Sequence, residues 1–101
     1  LEESMKILAL VSLKNSVPLD HIRPHLVAEL QGSWRLYSGD VIREAYLTES
    51  PSRVVFILEA PSSAEARVQL EKLPLVAEGV FEVVLVELRP FTNWSMLPAA
   101  H

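Results

Sequence analysis

The residues able to do chemistry are few and fall in two places. His25 and Glu29 stand four apart in a stretch of helical periodicity, so they are neighbours on one helix face. A carboxylate beside an imidazole holds its tautomer and raises its basicity, which suits a general base. The bland alternative is an exposed pair at the edge of the helix face. His21 and His25 are also four apart, a spacing that could ligate a metal, but no third ligand accompanies them and no metal is expected. The second place is a strand that carries Arg43 and Glu44 side by side. The planar fork of Arg43 can pair bidentately with a substrate carboxylate. Its alternative is a structural ion pair with Glu44, Glu82 or Glu87. Adjacent residues of a strand point to opposite faces, so Arg43 and Glu44 share one pocket only if a bulge intervenes. The candidate catalytic residues are therefore His25 and Glu29, and the candidate substrate-binding residues Arg43, Tyr46 and Trp34.

Composition removes several other chemistries. The chain has 101 residues, the size of one domain, is 50% hydrophobic and carries a net charge of −4. There is no basic tract interleaved with aromatics, so nucleic acid is not an expected partner. Cysteine is absent, which excludes disulfides, thiolate catalysis and cysteine-ligated metal, and fits a cytoplasmic location. No run approaches the roughly 20 apolar residues of a membrane span. There is no nucleophile elbow, phosphate loop or dinucleotide fingerprint. The natural start is expected at Met5, with Leu1 to Ser4 a leftover extension.

These residues need elements to position them. Residues 6–13 form a continuous apolar run and read as the first strand. Leu19, Ile22, Leu26, Leu30, Trp34 and Tyr37 recur at spacings of three and four, one face of a helix. That places Trp34 and Tyr37 in the core. Pro24 is tolerable in a first turn, so the regular helix is expected to start near Asp20 or His21 and to end with Gly39 in a left-handed conformation. Residues 41–47 and 53–60 are the second and third strands. Ser62 and Glu65 form a capping box for a second helix, with the serine oxygen accepting the Glu65 amide and the glutamate reaching back. Ala66, Leu70 and Leu73 are its buried stripe, and Pro74 ends it. Gly79 precedes a fourth strand at residues 80–88. Residues 89–101 are a tail holding Phe91 and Trp94.

The order β-α-β-β-α-β is the ferredoxin-like pattern of an α+β domain, an antiparallel four-stranded sheet with two helices on one face. The third strand is apolar on both faces, with Val54, Phe56 and Leu58 on one and Val55 and Ile57 on the other. The first and fourth strands behave likewise. Two helices cover only one face, and an antiparallel sheet with a wet face should alternate. The second face is expected to meet the same sheet of another copy, closing a barrel. The aromatic tail is expected to contact that partner or to cover a pocket.

The run Gly39-Asp40-Val41-Ile42-Arg43-Glu44-Ala45-Tyr46-Leu47, residues 54–66 and Leu73-Pro74-Leu75 resemble the muconolactone isomerase family of dimeric α+β barrels. The resemblance covers most of residues 34–90. It implies a homo-oligomer built of dimers, a pocket at the barrel ends, no metal or organic cofactor, and a proton shift within a butenolide carboxylate. Arg43 falls where the family strand has an arginine, and Tyr46 where it has an aromatic. Two functions follow as expectations. One is a cofactor-independent isomerase-like enzyme acting on a small organic acid or lactone. In it Arg43 holds the anion and His25 or a glutamate moves the proton. The other is a non-catalytic oligomeric module that binds a small ligand or assembles.

Overall fold

The computed structural model describes residues 4–99. Residues 1–3 of the extension expected at Leu1 to Ser4, and the last two residues of the tail, lie outside the described residues. Strand β1 spans Met5–Leu13, β2 Ile42–Glu49, β3 Ser52–Ala60 and β4 Phe81–Leu88. They form one antiparallel sheet in the order β2-β3-β1-β4, with the helices between them, an α+β architecture compatible with the ferredoxin-like pattern. Helices α1 (Leu19–Ile22), α2 (Leu26–Ser38), α3 (Ser63–Leu70) and α4 (Pro74–Ala77) complete it. None is long and apolar enough to cross a membrane.

The first helical stretch departs from the expected continuous helix. Pro24 has no N–H and its ring crowds the carbonyl four residues back. The chain responds with a 3-10 turn at Arg23–His25, and regular α-helix resumes only at Leu26. At the far end of α2 the left-handed residue is Asp40 (φ 64°), not Gly39 (φ −90°). Asp40 N–H donates to the Tyr37 carbonyl and Val41 N–H to that of Leu36 at 2.9 Å, a Schellman closure. Ser62 caps α3 by accepting from Glu65 N–H at 3.1 Å, but the reciprocal glutamate bond is not formed. Pro74 does not end α3, which stops at Leu70; it opens α4, where a missing N–H costs nothing.

Ile7, Ala9, Val11, Phe56 and Leu58 form the buried face of the sheet, beneath Leu36, Ala66, Leu70 and Leu73 of the helical layer. The opposite face has no cover among the described residues. There Leu8 lies opposite Ile57 and Val86, and Leu10 opposite Val55 and Val84. Val84 is 50% exposed and Val86 46%. Both faces of the sheet are thus apolar, and only one is packed.

Candidate functional site

Helix α2 does not bury the stripe that its apolar periodicity selects. The residues it buries are Glu29, Gly32 and Leu36. Leu30 (66% exposed), Trp34 (65%) and Val27 (66%) face outward, which corrects the placing of Trp34 and Tyr37 in the core. Gly32 explains the choice of face. A Cβ at this position would lie 2.8 Å from Leu73 Cδ2, so the helix comes this close to Leu73 only where there is no side chain. With Gly32 inward, Glu29 one turn earlier is carried inward too.

Glu29 is the one charged side chain buried among the described residues, at 8% exposure. Its Oε1 accepts the Leu75 N–H at 2.8 Å. That amide is in the first turn of α4, where no intrahelical acceptor exists. The hydrogen bond joins α2 to α4 across 46 residues of chain. Burial pushes the Glu29 carboxyl above the ordinary carboxylate range, and the Leu75 N–H opposes this by favouring the charged form.

Glu29 lines a cleft of about 690 Å³ between α2 and the sheet, whose walls include Leu26, Val54, Phe56, Leu73 and Phe81. Glu29 is the only ionisable carboxyl there. A second cleft of about 940 Å³ runs beside it under Trp34, Tyr37 and Arg35. The two share Leu30, Ser33, Ala45 and Phe56, so they form one trough along α2 over the β2–β3 hairpin. Trp34 and Tyr37 lie against each other at its mouth, ring centroids 5.4 Å apart. Arg35 forms no salt bridge among the described residues, and it lines the larger cleft beside Gln31 and Ser33, at the more polar end of a mostly apolar trough.

Searches of family models, curated proteins and solved structures find no match to this chain.

The candidate residues His25 and Glu29 make no direct polar contact with each other, His25 being the N-cap residue of α2. His25 sits in the 3-10 turn, outside the regular helix that carries Glu29. Its ring lies 6.3 Å from that of His21. Among the described residues no group of three or more His, Cys, Asp or Glu is placed to hold a metal ion.

Arg43 and Glu44 fall on the same side of the sheet, because a bulge does intervene. Ile42 pairs with Leu58 and Glu44 with Ile57, so two residues of β2 oppose one step of β3 and Arg43 is the extra one. Arg43 reaches Glu59 at 4.0 Å, not the expected Glu44, Glu82 or Glu87. Glu44 accepts the Tyr46 hydroxyl at 2.6 Å, and this bond to a carboxylate holds the Tyr46 phenol above its ordinary value. Arg43, Glu44 and Glu59 thus edge the uncovered face of the sheet, while the trough lies on the other face. Tyr46 touches the smaller cleft, but its hydroxyl is committed to Glu44. Arg35 and the isolated inward turn of Glu29 were the features that periodicity could not supply. The signal for the inward turn of Glu29 was Gly32, a helix-interior glycine whose face lies close to Leu73; Arg35 had no such signal.

Proposed function

We propose that the chain is a cofactor-independent proton-transfer protein acting on a small, largely apolar organic acid or lactone. The observation that carries this reading is Glu29, a carboxyl raised by burial at the wall of an apolar trough. A carboxyl so placed holds a proton near neutral pH more readily than a surface one, which is the property a general acid–base group needs. In an isomerisation the Glu29 carboxylate takes a proton from a carbon next to a carbonyl. The electron pair moves into the conjugated system, and the same proton returns at another carbon of the same molecule. No oxidant, reductant or second substrate enters. Arg35 holds the substrate carboxylate, a role its unpaired guanidinium suits better than Arg43, which is engaged by Glu59 on the far face. Residues of the stretch that resembles the muconolactone isomerase family, Ile42 and Ala45 to Leu47, form part of the trough wall. This supports the same chemistry.

The assembly proposed with it is a homodimer formed through the uncovered sheet face, supported by the apolar patch around Leu8, Leu10, Val55 and Ile57. The second reading is a non-catalytic ligand-binding or assembly module. It is favoured by the bond from Leu75, which gives Glu29 a sufficient structural reason to be where it is.

A panel of small unsaturated carboxylates and lactones, followed by proton exchange from solvent deuterium, separates these readings. The proposed function requires at least one member to exchange, with loss of exchange in Glu29→Gln and weaker binding in Arg35→Ala. Binding without exchange in the parent protein selects the module.

A further inference from the structure

The open face of the sheet ends in a polar row. Ser12 of β1 pairs with Glu82 of β4. One step past the Val11–Val54 pair, the same register sets Ser12 beside Arg53 of β3. Val11, Val54 and Phe81 pack in the core, so alternation turns Ser12, Arg53 and Glu82 to the opposite, open face. Lys14 follows two residues after Ser12. Its Nζ lies 3.7 Å from the place a Cβ would take on Gly79, in the turn before β4. These four residues, with Asn15 and Ser52 beside them, line a cleft of about 560 Å³.

The cleft brings together two cations and one carboxylate, and none of them is paired. Among the described residues, none of these six side chains makes a hydrogen bond or salt bridge within the chain. Charges at the far end of the same face are engaged, Arg43 by Glu59 at 4.0 Å and Glu44 by the Tyr46 hydroxyl at 2.6 Å. Arg53 and Glu82 stand on either side of β1, so two inter-strand spacings, about 9–10 Å, separate them at the backbone. Strand side chains rise roughly perpendicular to the sheet, so their tips keep a similar separation. Charge-assisted contacts are about 2.8 Å long, which leaves about 4 Å between the charged groups of a ligand that meets both. That is the scale of the carboxylate and ammonium of one α-amino acid.

We propose that this cleft binds an acidic α-amino acid, aspartate or glutamate. The planar fork of Arg53 takes the α-carboxylate, Glu82 takes the ammonium, and Lys14 takes the side-chain carboxylate. The Ser12 hydroxyl lies between Arg53 and Glu82 and can donate to the carboxylate or accept from the ammonium. The two carboxylates and one ammonium of the ligand match the two cations and one carboxylate of the cleft. A neutral amino acid leaves Lys14 unmatched, and a plain dicarboxylate offers Glu82 no cation. The site lies on the opposite face from the trough and is formed within one copy. It rests neither on the chemistry assigned to Glu29 nor on the proposed dimer.

Titration of the full chain with L-aspartate and with L-glutamate at low ionic strength, followed by backbone amide NMR shifts, tests this. At least one of them should bind saturably at millimolar concentration or below and move the amides of Ser12, Lys14, Arg53 and Glu82. Glutarate, which lacks the ammonium, and L-alanine, which lacks the second carboxylate, should each bind roughly tenfold or more weakly. Arg53→Ala should weaken binding of the amino acid by a similar factor. Glu82→Gln should erase its advantage over glutarate. Both side chains are exposed, and the amide spectra of the variants report whether the fold is kept. Absence of saturable shifts with both acidic amino acids overturns the proposal. So do saturable shifts that map away from these strand ends. Glutarate or inorganic phosphate binding as tightly as the amino acid makes the cleft a general anion site, which also overturns it.

Discussion

Replacing Glu29 by Gln and by Met tests what the buried carboxyl does to the fold. Both variants are neutral and close to glutamate in length, but only Gln keeps an oxygen for the Leu75 N–H, which Glu29 now meets at 2.8 Å. Glu29 is 8% exposed, so little water can replace it. Leaving that amide unsatisfied costs about 1–3 kcal/mol. For a domain of this size each kcal/mol moves the melting temperature by about 4–8 °C. Glu29→Met should therefore melt roughly 5–20 °C below Glu29→Gln at any pH. The parent protein should move between them with pH. Its carboxyl is raised in the folded state, so the folded form keeps a proton that the unfolded chain releases. That contribution is fully present below the ordinary carboxylate range and is lost as pH rises through the folded value. The parent should thus approach Glu29→Gln at acid pH and fall below it near neutrality. Thermal melts of the three proteins from mildly acid to mildly alkaline pH measure both effects. A parent that is more stable than Glu29→Gln at neutral pH would refute the reasoning. In that case the Leu75 N–H outweighs burial, and Glu29 is a charged cap.

Three other outcomes are expected. Leu10→Asp places a charge in the centre of the uncovered face and should weaken self-association by about 100-fold or more, since an unpaired buried charge costs about 3–5 kcal/mol; sedimentation equilibrium measures it. Arg43→Ala should change the unliganded stability by less than about 1 kcal/mol, because its 4.0 Å contact with Glu59 is half-exposed, and chemical denaturation checks this. Gly32→Ala should destabilise by roughly 1 kcal/mol: overpacking against Leu73 costs about 1–3 kcal/mol and the helix regains about 1, again read from denaturation.

The strands were legible because their hydrophobic runs are bounded by turn residues, and β1 and β3 fall within a residue of the expected ends. Helix α3 was legible through Ser62, whose cap is formed, and through Ala66, Leu70 and Leu73, which are all buried. Helix α2 was misread. Periodicity identifies residues that favour burial somewhere, and Leu26, Leu30 and Trp34 do favour it, but the partner is not the chain's own sheet. The face that packs contains an acid, a glycine and one large apolar residue, Leu36, a pattern with little apolar signal. Its reason is the closeness of Leu73, a contact between residues 41 positions apart that only the fold reveals. The surroundings of the candidate residues were hidden for the same reason. The strand charges were conspicuous, whereas the burial of Glu29 depends on which face of α2 packs, and a helical spacing of four from His25 carries no sign of it.

The bulge at Arg43 also bears on how β2 can change length. Removing one residue from the middle of a regular strand inverts the facing of everything beyond it. Removing Arg43 would not. Ile42 already faces the helices and Glu44 the open side, so excising the residue between them restores plain alternation and leaves Ala45, Tyr46 and Leu47 on their present faces. The arginine therefore occupies a position where a one-codon deletion preserves the register, and where its guanidinium can be gained or lost without re-laying the trough wall beyond it.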